Sequence, residues 1–271
     1  MKNIYHKGIR HIVKSGLGIM SHKLNRYSNC YYHRWFHRTR SFQFRGGKYF
    51  YYYHRHNITW TNERCVEIPI CQSLALMHRD GLKILEVGNV LSNYFETDYD
   101  IVDKYEINDR LINVDVVDFK PTKQYDLIIS ISTMEHVGWN ETPQDPSLSH
   151  KDPKKIIEGI TNLQTCLSDR GVLVVTVPVG YNHNMDRSLD VGEIPYTVRG
   201  CLKRVSKHDW LECSWDECKH SRYDSPFSGA NALVVLYIER GETIESVQER
   251  LSSQCEDMNK MKFYISEGMK P

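Results

Sequence analysis

Short apolar runs alternate with amphipathic segments along most of the chain, from about residue 63 onward. An apolar run of roughly four to eight residues is typical of a buried strand, whereas apolar residues at every third or fourth position indicate a helix. Strands are predicted at 82–87, 100–105, 111–117, 126–132, 172–177 and 231–239, and helices at 63–78 and 152–167. This alternation predicts an α/β fold with a mostly parallel sheet and helices on both faces.

Local signals mark the ends of the second predicted helix. Pro153 stands at its first turn, where a missing N–H removes no intrahelical hydrogen bond. Ile156, Ile160 and Leu163 then share one face. Asp169-Arg170-Gly171 predicts a turn between this helix and the next strand.

The first 62 residues follow a different pattern. Apolar residues at 4, 9, 12, 13, 17 and 20 have approximately helical spacing, with Lys, Arg and His between them. Residues 42–53 predict an aromatic β-hairpin around Gly46-Gly47, because glycine accepts the positive φ of a type I′ turn. We expect this hairpin to cover the core of the body rather than to form an exposed stacking platform.

Charge divides the chain at the same place. Residues 1–62 contain twelve Lys or Arg, seven His and no Asp or Glu, whereas the remaining 209 residues contain 23 Lys or Arg and 34 acids. The sequence therefore predicts a basic, aromatic N-terminal arm and hairpin at 1–62 and a second domain at 63–271. The arm suits RNA, anionic lipid or an acidic membrane-proximal partner, but it could also dock on the chain's own acidic body.

Composition excludes several classes of protein. Hydrophobic residues make up 40% and charged residues 25% of the chain, as in a soluble globular protein. No apolar stretch approaches the ~18 residues of a transmembrane helix. The eight cysteines are scattered, unlike a small secreted disulfide framework. We expect a cytoplasmic protein, with a location peripheral to the membrane as the alternative.

Acidic and glycine residues follow the predicted strands in a repeated arrangement. Lys83-Ile-Leu-Glu86-Val-Gly88-Asn89 ends the first strand, Asp103 ends the second, Asp115 lies in the third, and 125–138 contains the fourth followed by Glu135-His136. Over roughly residues 63–240 this order and spacing resembles class I S-adenosylmethionine-dependent methyltransferases. The resemblance implies a Rossmann-like sheet.

The resemblance also implies that S-adenosylmethionine is the cofactor. Its predicted binding residues are Glu86, Gly88, Asn89, Asp103, Asp115 and Ser132. Gly88 would let the backbone approach the methionine part, and Asp103, or alternatively Glu106, would accept the ribose hydroxyls. Asp115 would lie near the adenine amino group. The family often has two or three glycines after the first strand, whereas Gly88 is followed here by Asn89-Val90. A non-catalytic relative of the family therefore remains an alternative.

Missing motifs disfavour other enzymes with a similar sheet. Gly-x-Gly-x-x-Gly, expected of a dinucleotide dehydrogenase, is absent after the first strand. The Pro-Pro-aromatic block of base-amino DNA methyltransferases is replaced by Thr133-Met-Glu-His, and no Pro-Cys of a cytosine-carbon methyltransferase is present. Methyl transfer to oxygen or nitrogen of another acceptor is favoured.

His136 is the candidate general base, because it directly follows the fourth strand and has an ordinary pKa near 6.5. Glu135 would orient His136 or hold the methionine side of the pocket. The alternative is that His136 only packs in its loop. Tyr181, Asn182 and His183 follow the fifth strand and could bind a polyhydroxylated acceptor. Residues 179–186 and 60–64 resemble methyltransferases of glycan and polysaccharide assembly.

Three functions therefore remain open. The first is an O-methyltransferase for a sugar, glycan or other polar small acceptor. The others are an RNA methyltransferase that grips RNA with the basic arm and a non-catalytic scaffold. No metal is predicted, because Ser132 stands where some relatives have a metal-binding Glu. A cluster of Cys201, His208, Cys213, Cys218 and His220 also lacks paired zinc spacing.

Overall fold

The computed structural model describes residues 28–77, 81–139 and 152–240. The segment predicted to be helical at 4–20 lies outside these ranges. The helices are α1 (28–36), α2 (Arg64–Met77), α3 (Lys154–Thr165), α4 (His183–Asp190) and α5 (Trp215–Cys218). The strands are β1 (Ser41–Phe44), β2 (Gly47–Phe50), β3 (Ile84–Val87), β4 (Asp100–Val102), β5 (Tyr125–Ile131), β6 (Leu167–Pro178), β7 (Val198–Arg204), β8 (Trp210–Cys213) and β9 (Ala232–Glu239). None of the helices in these ranges has both the length and the apolar character needed to cross a bilayer.

Seven strands form one twisted central sheet in the order β4–β3–β5–β6–β9–β7–β8. β3, β4, β5 and β6 are mutually parallel. β9 runs antiparallel to both of its neighbours, β6 and β7, and β8 runs antiparallel to β7. The expected mostly parallel, Rossmann-like sheet is confirmed.

The sheet separates two hydrophobic cores, because successive side chains of a strand point to opposite faces. On β5, Leu127 and Ile129 belong to the core beneath α2 and the N-terminal hairpin. Ile128 belongs to the opposite core, which also contains residues of α3, α4 and α5. Helices therefore cover both faces, as the pattern of apolar runs predicts.

The N-terminal hairpin packs on the body, as expected. Phe42 and Phe44 are buried in the same core as α2, and a Cβ atom at Gly200 would meet the Phe44 ring. The turn differs by one residue from the prediction. Arg45 and Gly46 have φ of 50° and 76°, while Gly47 is already in β2, opposite Phe44.

Two local predictions are wrong. The strand predicted at 111–117 is reduced to a single bridge between Ile112 and Val102. The side-chain amide of Asn113 donates to the carbonyls of Asp103 and Lys104, so the chain turns away from β4. The turn predicted at 169–171 lies inside β6, where the register shifts beside Tyr125.

The structure also contains elements that the sequence did not indicate. β7 carries Arg199, Lys203 and Arg204 among its apolar residues, so it has no clear apolar run. It becomes a strand because β8 and β9 pair with it, and at its end Arg204 donates to three carbonyls, those of Thr61, Ser228 and Lys207. Tertiary hydrogen bonds thus stabilise a strand whose sequence pattern is weak.

Candidate active site

β3 is the point at which the strand order reverses, because β4 and β5 flank it on opposite sides. All three strands are parallel, so their carboxyl ends meet at one edge. In open α/β sheets, ligands bind in the crevice outside such a reversal. A cavity of about 450 Å³ lies there, within the range of roughly 300–1,000 Å³ that is typical of small-molecule sites.

The cavity combines apolar walls with a few polar groups. Its apolar residues include Val87, Val90, Val102, Val114, Val116 and Val137. Its other residues include Gly88, Asn89, Asp103, Lys104, Asp115, Thr133 and His136. Five of the residues proposed from the sequence therefore line one cavity: four of them follow β3, β4 or β5, and Asp115 lies in the loop between β4 and β5.

Gly88 follows β3 directly and adopts φ of 82°, a left-handed conformation that glycine tolerates. Its N–H donates to the carbonyl of Val102 on β4 at 2.8 Å. A Cβ atom here would lie 2.8 Å from Cγ2 of Thr133 and closer still to Oγ1. Both the backbone conformation and the close approach of the loop after β5 thus require glycine.

Glu86 supports the loop after β3 and does not line the cavity. Its Oε1 accepts hydrogen bonds from the N–H groups of Val90 and Leu91 at 2.8 and 2.6 Å, and the Tyr99 hydroxyl donates to Oε2 at 3.3 Å. Burial raises the pKa of Glu86 to about 7, although these hydrogen bonds oppose the shift. The acid of the acid-x-Gly motif therefore holds the loop in place.

Asp103 lies just beyond β4 and lines the cavity. Its Oδ2 accepts from the N–H of Asn89 at 3.3 Å, and its Oδ1 accepts from the N–H groups of Tyr105 and Glu106 at 2.8 Å each. The carboxylate has about four lone-pair sites in total, so it can still accept from a ligand. Glu106 is exposed and is not among the cavity residues.

Asp115 is held by two lysines at the other side of the cavity. Its Oδ2 lies 2.8 Å from the Nζ atoms of both Lys104 and Lys155, and its Oδ1 accepts from the N–H of Val117. Burial alone would raise the pKa of Asp115, but the hydrogen bonds from the two lysines outweigh it and hold the pKa below its usual value. Asp115 is therefore an ionised, fixed acceptor.

His136 lies between the cavity and a group of polar side chains beyond β6. Its Nδ1 is 3.4 Å from the hydroxyl of Tyr181, and its Nε2 is 3.8 Å from Oε1 of Glu135. Burial, and secondarily the positive charge of Arg64, lowers the pKa of His136 below 6.5. The imidazole is therefore neutral near pH 7 and can accept a proton.

A buried polar network lies beneath Glu135 and His136. Arg64 Nη1 donates to Oε2 of Glu67 at 2.8 Å, and Thr176 donates to Oε1 of Glu67 at 2.6 Å. Glu135 Oε2 is buried and has no hydrogen-bond partner among the described residues. Burial raises the pKa of Glu135 well above its ordinary value, so this carboxyl favours its protonated form.

Ser132 belongs to that network and not to the cavity. Its hydroxyl donates to Oε1 of Glu67 at 2.5 Å, and its N–H donates to the carbonyl of Thr176 at 3.1 Å. Ser132 also has φ of 40°, an uncommon conformation for a non-glycine residue. This conformation directs the chain after β5 toward the cavity, where the next residue, Thr133, is found.

The three predicted acceptor-binding residues have different surroundings. Tyr181 is half-buried and meets the rings of His136 and Tyr223 edge to face. Asn182 is buried, caps α4 through Oδ1 and donates to the carbonyl of Glu135 at 2.7 Å. His183 is exposed at the start of α4. Tyr181 thus contacts His136, and Asn182 has a structural role.

The described residues contain no group of three His, Cys, Asp or Glu side chains arranged to hold a metal ion. Cys201 and Cys213 are cross-strand partners on β7 and β8. Hydrogen bonding with Cys218 raises the pKa of the Cys213 thiol, and burial raises it further. These cysteines therefore remain thiols in the structure.

Sequence reasoning missed Glu67, which connects Arg64, Ser132 and Thr176. One signal was available, because Glu67 is the single charged residue of the otherwise apolar run 65–71. A charge inside such a run is buried with its helix, and a buried carboxylate needs partners. Arg64 and Glu63 stand in the motif 60–64, and both are close enough to Glu135 to influence its pKa.

Comparison with known proteins gives matches among solved structures alone. No family model matches the sequence, and no curated protein matches it. The N-methyltransferase NodS from Bradyrhizobium japonicum, in complex with S-adenosyl-L-homocysteine, is 12% identical with a TM-score of 0.38. The alignment covers 68% of this chain and 95% of that chain.

Two further solved structures are similar to the same extent. An S-adenosylmethionine-dependent methyltransferase from Clostridium acetobutylicum is 9% identical over 65% of this chain and 91% of that chain, with a TM-score of 0.35. The sugar N-methyltransferase KedS8 from Streptoalloteichus sp. is 10% identical over 66% and 88%, with a TM-score of 0.33. Similarity at this level carries no information on reaction or acceptor.

Proposed function

We propose that this chain is an S-adenosylmethionine-dependent methyltransferase that methylates an oxygen of a polar acceptor such as a sugar or glycan. One observation carries the proposal. The cavity at the strand-order reversal is lined by Gly88 and Asn89 after β3, Asp103 after β4 and Asp115 from the loop before β5, and His136 stands at its border. This arrangement would bring a nucleoside cofactor and a base to the same edge of the sheet.

The chemistry of the lining fits the cofactor. Asp103 offers carboxylate lone pairs to a pair of ribose hydroxyls, and such charge-assisted hydrogen bonds are strong. The valines of the cavity suit the flat apolar surface of an adenine ring, and Asp115 suits its amino group. The loop at Gly88 and Asn89 brings backbone groups to the edge where the methionine part would lie.

His136 would take the proton of the acceptor hydroxyl, and Glu135 lies next to His136. When bound, S-adenosylmethionine supplies a methyl group that its sulfonium already activates, so positioning of the acceptor provides much of the rate. A hydroxyl acceptor also needs a base, and His136 is neutral near pH 7 because its pKa is lowered. Oε1 of Glu135 lies 3.8 Å from Nε2 of the ring.

The acceptor would approach from the side of Tyr181, which adds a hydroxyl and a ring next to His136. An aromatic face beside hydrogen-bonding groups suits a polyhydroxylated ring, since apolar C–H faces and hydroxyls are both matched. This geometry supports a sugar-like acceptor. The proposed acceptor site does not depend on Asn182, because its Oδ1 caps α4 and its Nδ2 donates to the carbonyl of Glu135.

Titration calorimetry of the full chain tests the proposal. S-adenosylmethionine and S-adenosylhomocysteine should both bind, whereas NAD⁺, offered as a control nucleotide, should not. If folded protein binds neither S-adenosylmethionine nor S-adenosylhomocysteine, the proposal is overturned and a non-catalytic scaffold is favoured. Methyl transfer to RNA in place of sugars or glycans, lost steeply with added salt, would favour the RNA methyltransferase instead.

A further inference from the structure

Helix α1 is held on the body by one face. Cys30 and His33 are buried on this face. The His33 ring stacks on Trp60 with centroids 5.6 Å apart and also contacts the rings of Tyr53 and His208. These contacts fix the rotation of α1 about its axis, so they determine which residues of the helix point outward.

The outward face of α1 is aromatic. Tyr31, Tyr32, Trp35 and Phe36 are 65%, 51%, 76% and 67% exposed. At 100° per residue these four positions cover an arc of roughly 140° opposite the buried face. Four large exposed aromatic residues on nine helical positions form a contiguous exposed apolar patch. Because such patches are rare and mark interaction sites, this face of α1 is a candidate interface.

Two arginines lie next to this aromatic face in the sequence. Arg34 lies on α1 itself and Arg38 follows in the next turn, where it is exposed. No Asp or Glu occurs anywhere in residues 1–62. The face therefore combines Trp, Tyr and Phe with cations in a segment whose own sequence has no acids, which is the composition of helices that lie in the interface of anionic membranes.

We propose that the exposed face of α1 inserts into the interfacial region of an anionic lipid membrane and anchors the enzyme there. RNA would need open ring faces on which bases could stack. Tyr32 and Phe36 instead pack on each other with centroids 5.1 Å apart, and Tyr32 also meets His37 edge to face. Insertion among lipid headgroups and acyl chains requires only exposed side chains.

Vesicle sedimentation with the full chain tests this proposal. We expect retention on vesicles of phosphatidylcholine mixed with phosphatidylglycerol and weak retention on phosphatidylcholine alone. The double variant Trp35→Ser with Phe36→Ser should lower the partition coefficient by at least about tenfold, since two aromatic side chains lose their apolar contact. Added salt should weaken binding of both proteins, because Lys and Arg contribute.

The matched control is Val191→Ser with Leu211→Ser, which removes two apolar side chains that are 58% and 57% exposed elsewhere. It should bind vesicles like the wild type. Absence of wild-type retention on anionic vesicles, or equal losses in both double variants, would overturn the proposal. The proposal would also be overturned if the α1 variant kept its vesicle binding but lost RNA retention or self-association. The exposed face of α1 would then bind RNA or a second copy of the chain. Equal melting temperatures show that both variants are folded.

Discussion

The hydroxyl of Tyr181 lies 3.4 Å from Nδ1 of His136, and the two rings meet edge to face with centroids 5.0 Å apart. His136 follows β5 and Tyr181 follows β6, so this contact joins two neighbouring strand ends. If the hydroxyl donates to Nδ1, the neutral imidazole carries its proton on Nε2, and its one lone pair, on Nδ1, takes the acceptor's proton once the acceptor hydroxyl replaces that of Tyr181. Tyr181 would then determine the tautomer of the proposed base.

Removal of His136 should slow methyl transfer strongly. For His136→Ala we expect turnover to fall by about 10²–10⁴-fold if His136 is a general base, with S-adenosylmethionine affinity nearly unchanged. Single-turnover assays at saturating acceptor measure the first quantity, and calorimetry measures the second. Unchanged turnover would remove His136 from the mechanism.

The dependence of turnover on pH gives a separate test of the same residue. Because the pKa of His136 is lowered below 6.5, wild-type turnover should be constant near neutral pH and fall only as the pH drops through that lowered value. Tyr181→Phe keeps the ring but removes the hydroxyl, so the acid limb of the profile should shift. An identical profile in Tyr181→Phe would show that the hydroxyl does not influence His136.

Asp103 and Glu106 form a matched pair for the cofactor site. Asp103 lines the cavity, whereas Glu106 is exposed outside it. We expect Asp103→Asn to weaken S-adenosylmethionine binding by about 10–100-fold, since a charge-assisted hydrogen bond contributes roughly 1.5–3 kcal/mol, and Glu106→Gln to have little effect. Calorimetry of both variants checks this, and the opposite order of affinities would assign the ribose contact to Glu106.

A substitution at Gly88 should destabilise the fold as well as the site. A Cβ atom would meet Thr133, and φ of 82° is strained for any other residue, so Gly88→Ala should cost about 1–3 kcal/mol of unfolding free energy. Thr133→Ala removes the nearest clashing atoms but not the strain, and the double variant should recover only part of the loss. Chemical denaturation measures these differences, and full recovery would show that φ strain is unimportant.

Acid should loosen the contact between α1 and the body. Burial, assisted by nearby cations, lowers the pKa of His33 to about 4, and burial lowers that of His54 similarly. The unfolded chain then binds protons near pH 6.5 while the folded chain does not, so stability is lost as pH falls from about 6.5 toward 4. For His33 the loss is on the order of 1–3 kcal/mol.

Denaturation at about pH 7.5 and about pH 5 checks this expectation. His33→Gln should have a smaller difference in stability between the two pH values than the wild type. His183→Gln, at an exposed position, should behave like the wild type. Buried carboxyls such as Glu86, whose pKa is raised, remain in all three proteins and cancel in the comparison. An unchanged difference in His33→Gln would contradict the prediction.

The sequence by itself determined the parallel part of the sheet and the edge at which the candidate site lies. Apolar runs located β3, β5 and β9 to within two residues, because burial between two helix layers demands continuous apolar strands. Gly88, Asp103 and His136 were then identified as candidates because each lies at or just after the end of a predicted strand. Parallel strands bring their carboxyl ends to one side, so residues far apart in sequence could be assigned to one site.

Only the tertiary structure decided which strand-end side chains reach the cavity. Ser132 and Thr133 are adjacent, yet Ser132 bonds to Glu67 and Thr133 lines the cavity. Asp103 lines the cavity while Glu106, three residues later, is exposed. The left-handed φ of Ser132 and the turn that follows Asp103 set these side-chain directions, and no local pattern specifies them once the strand has ended.

The remaining features depend on partners distant in the chain. β7 has charged residues and no apolar run, and it becomes a strand because β8 and β9 pair with it. Glu67 acquires its role only when α2 brings it to Ser132 and Thr176, 65 and 109 residues away. A sequence records the periodicity and burial of each segment, whereas pairing of buried polar groups is decided by the packing of segments against one another.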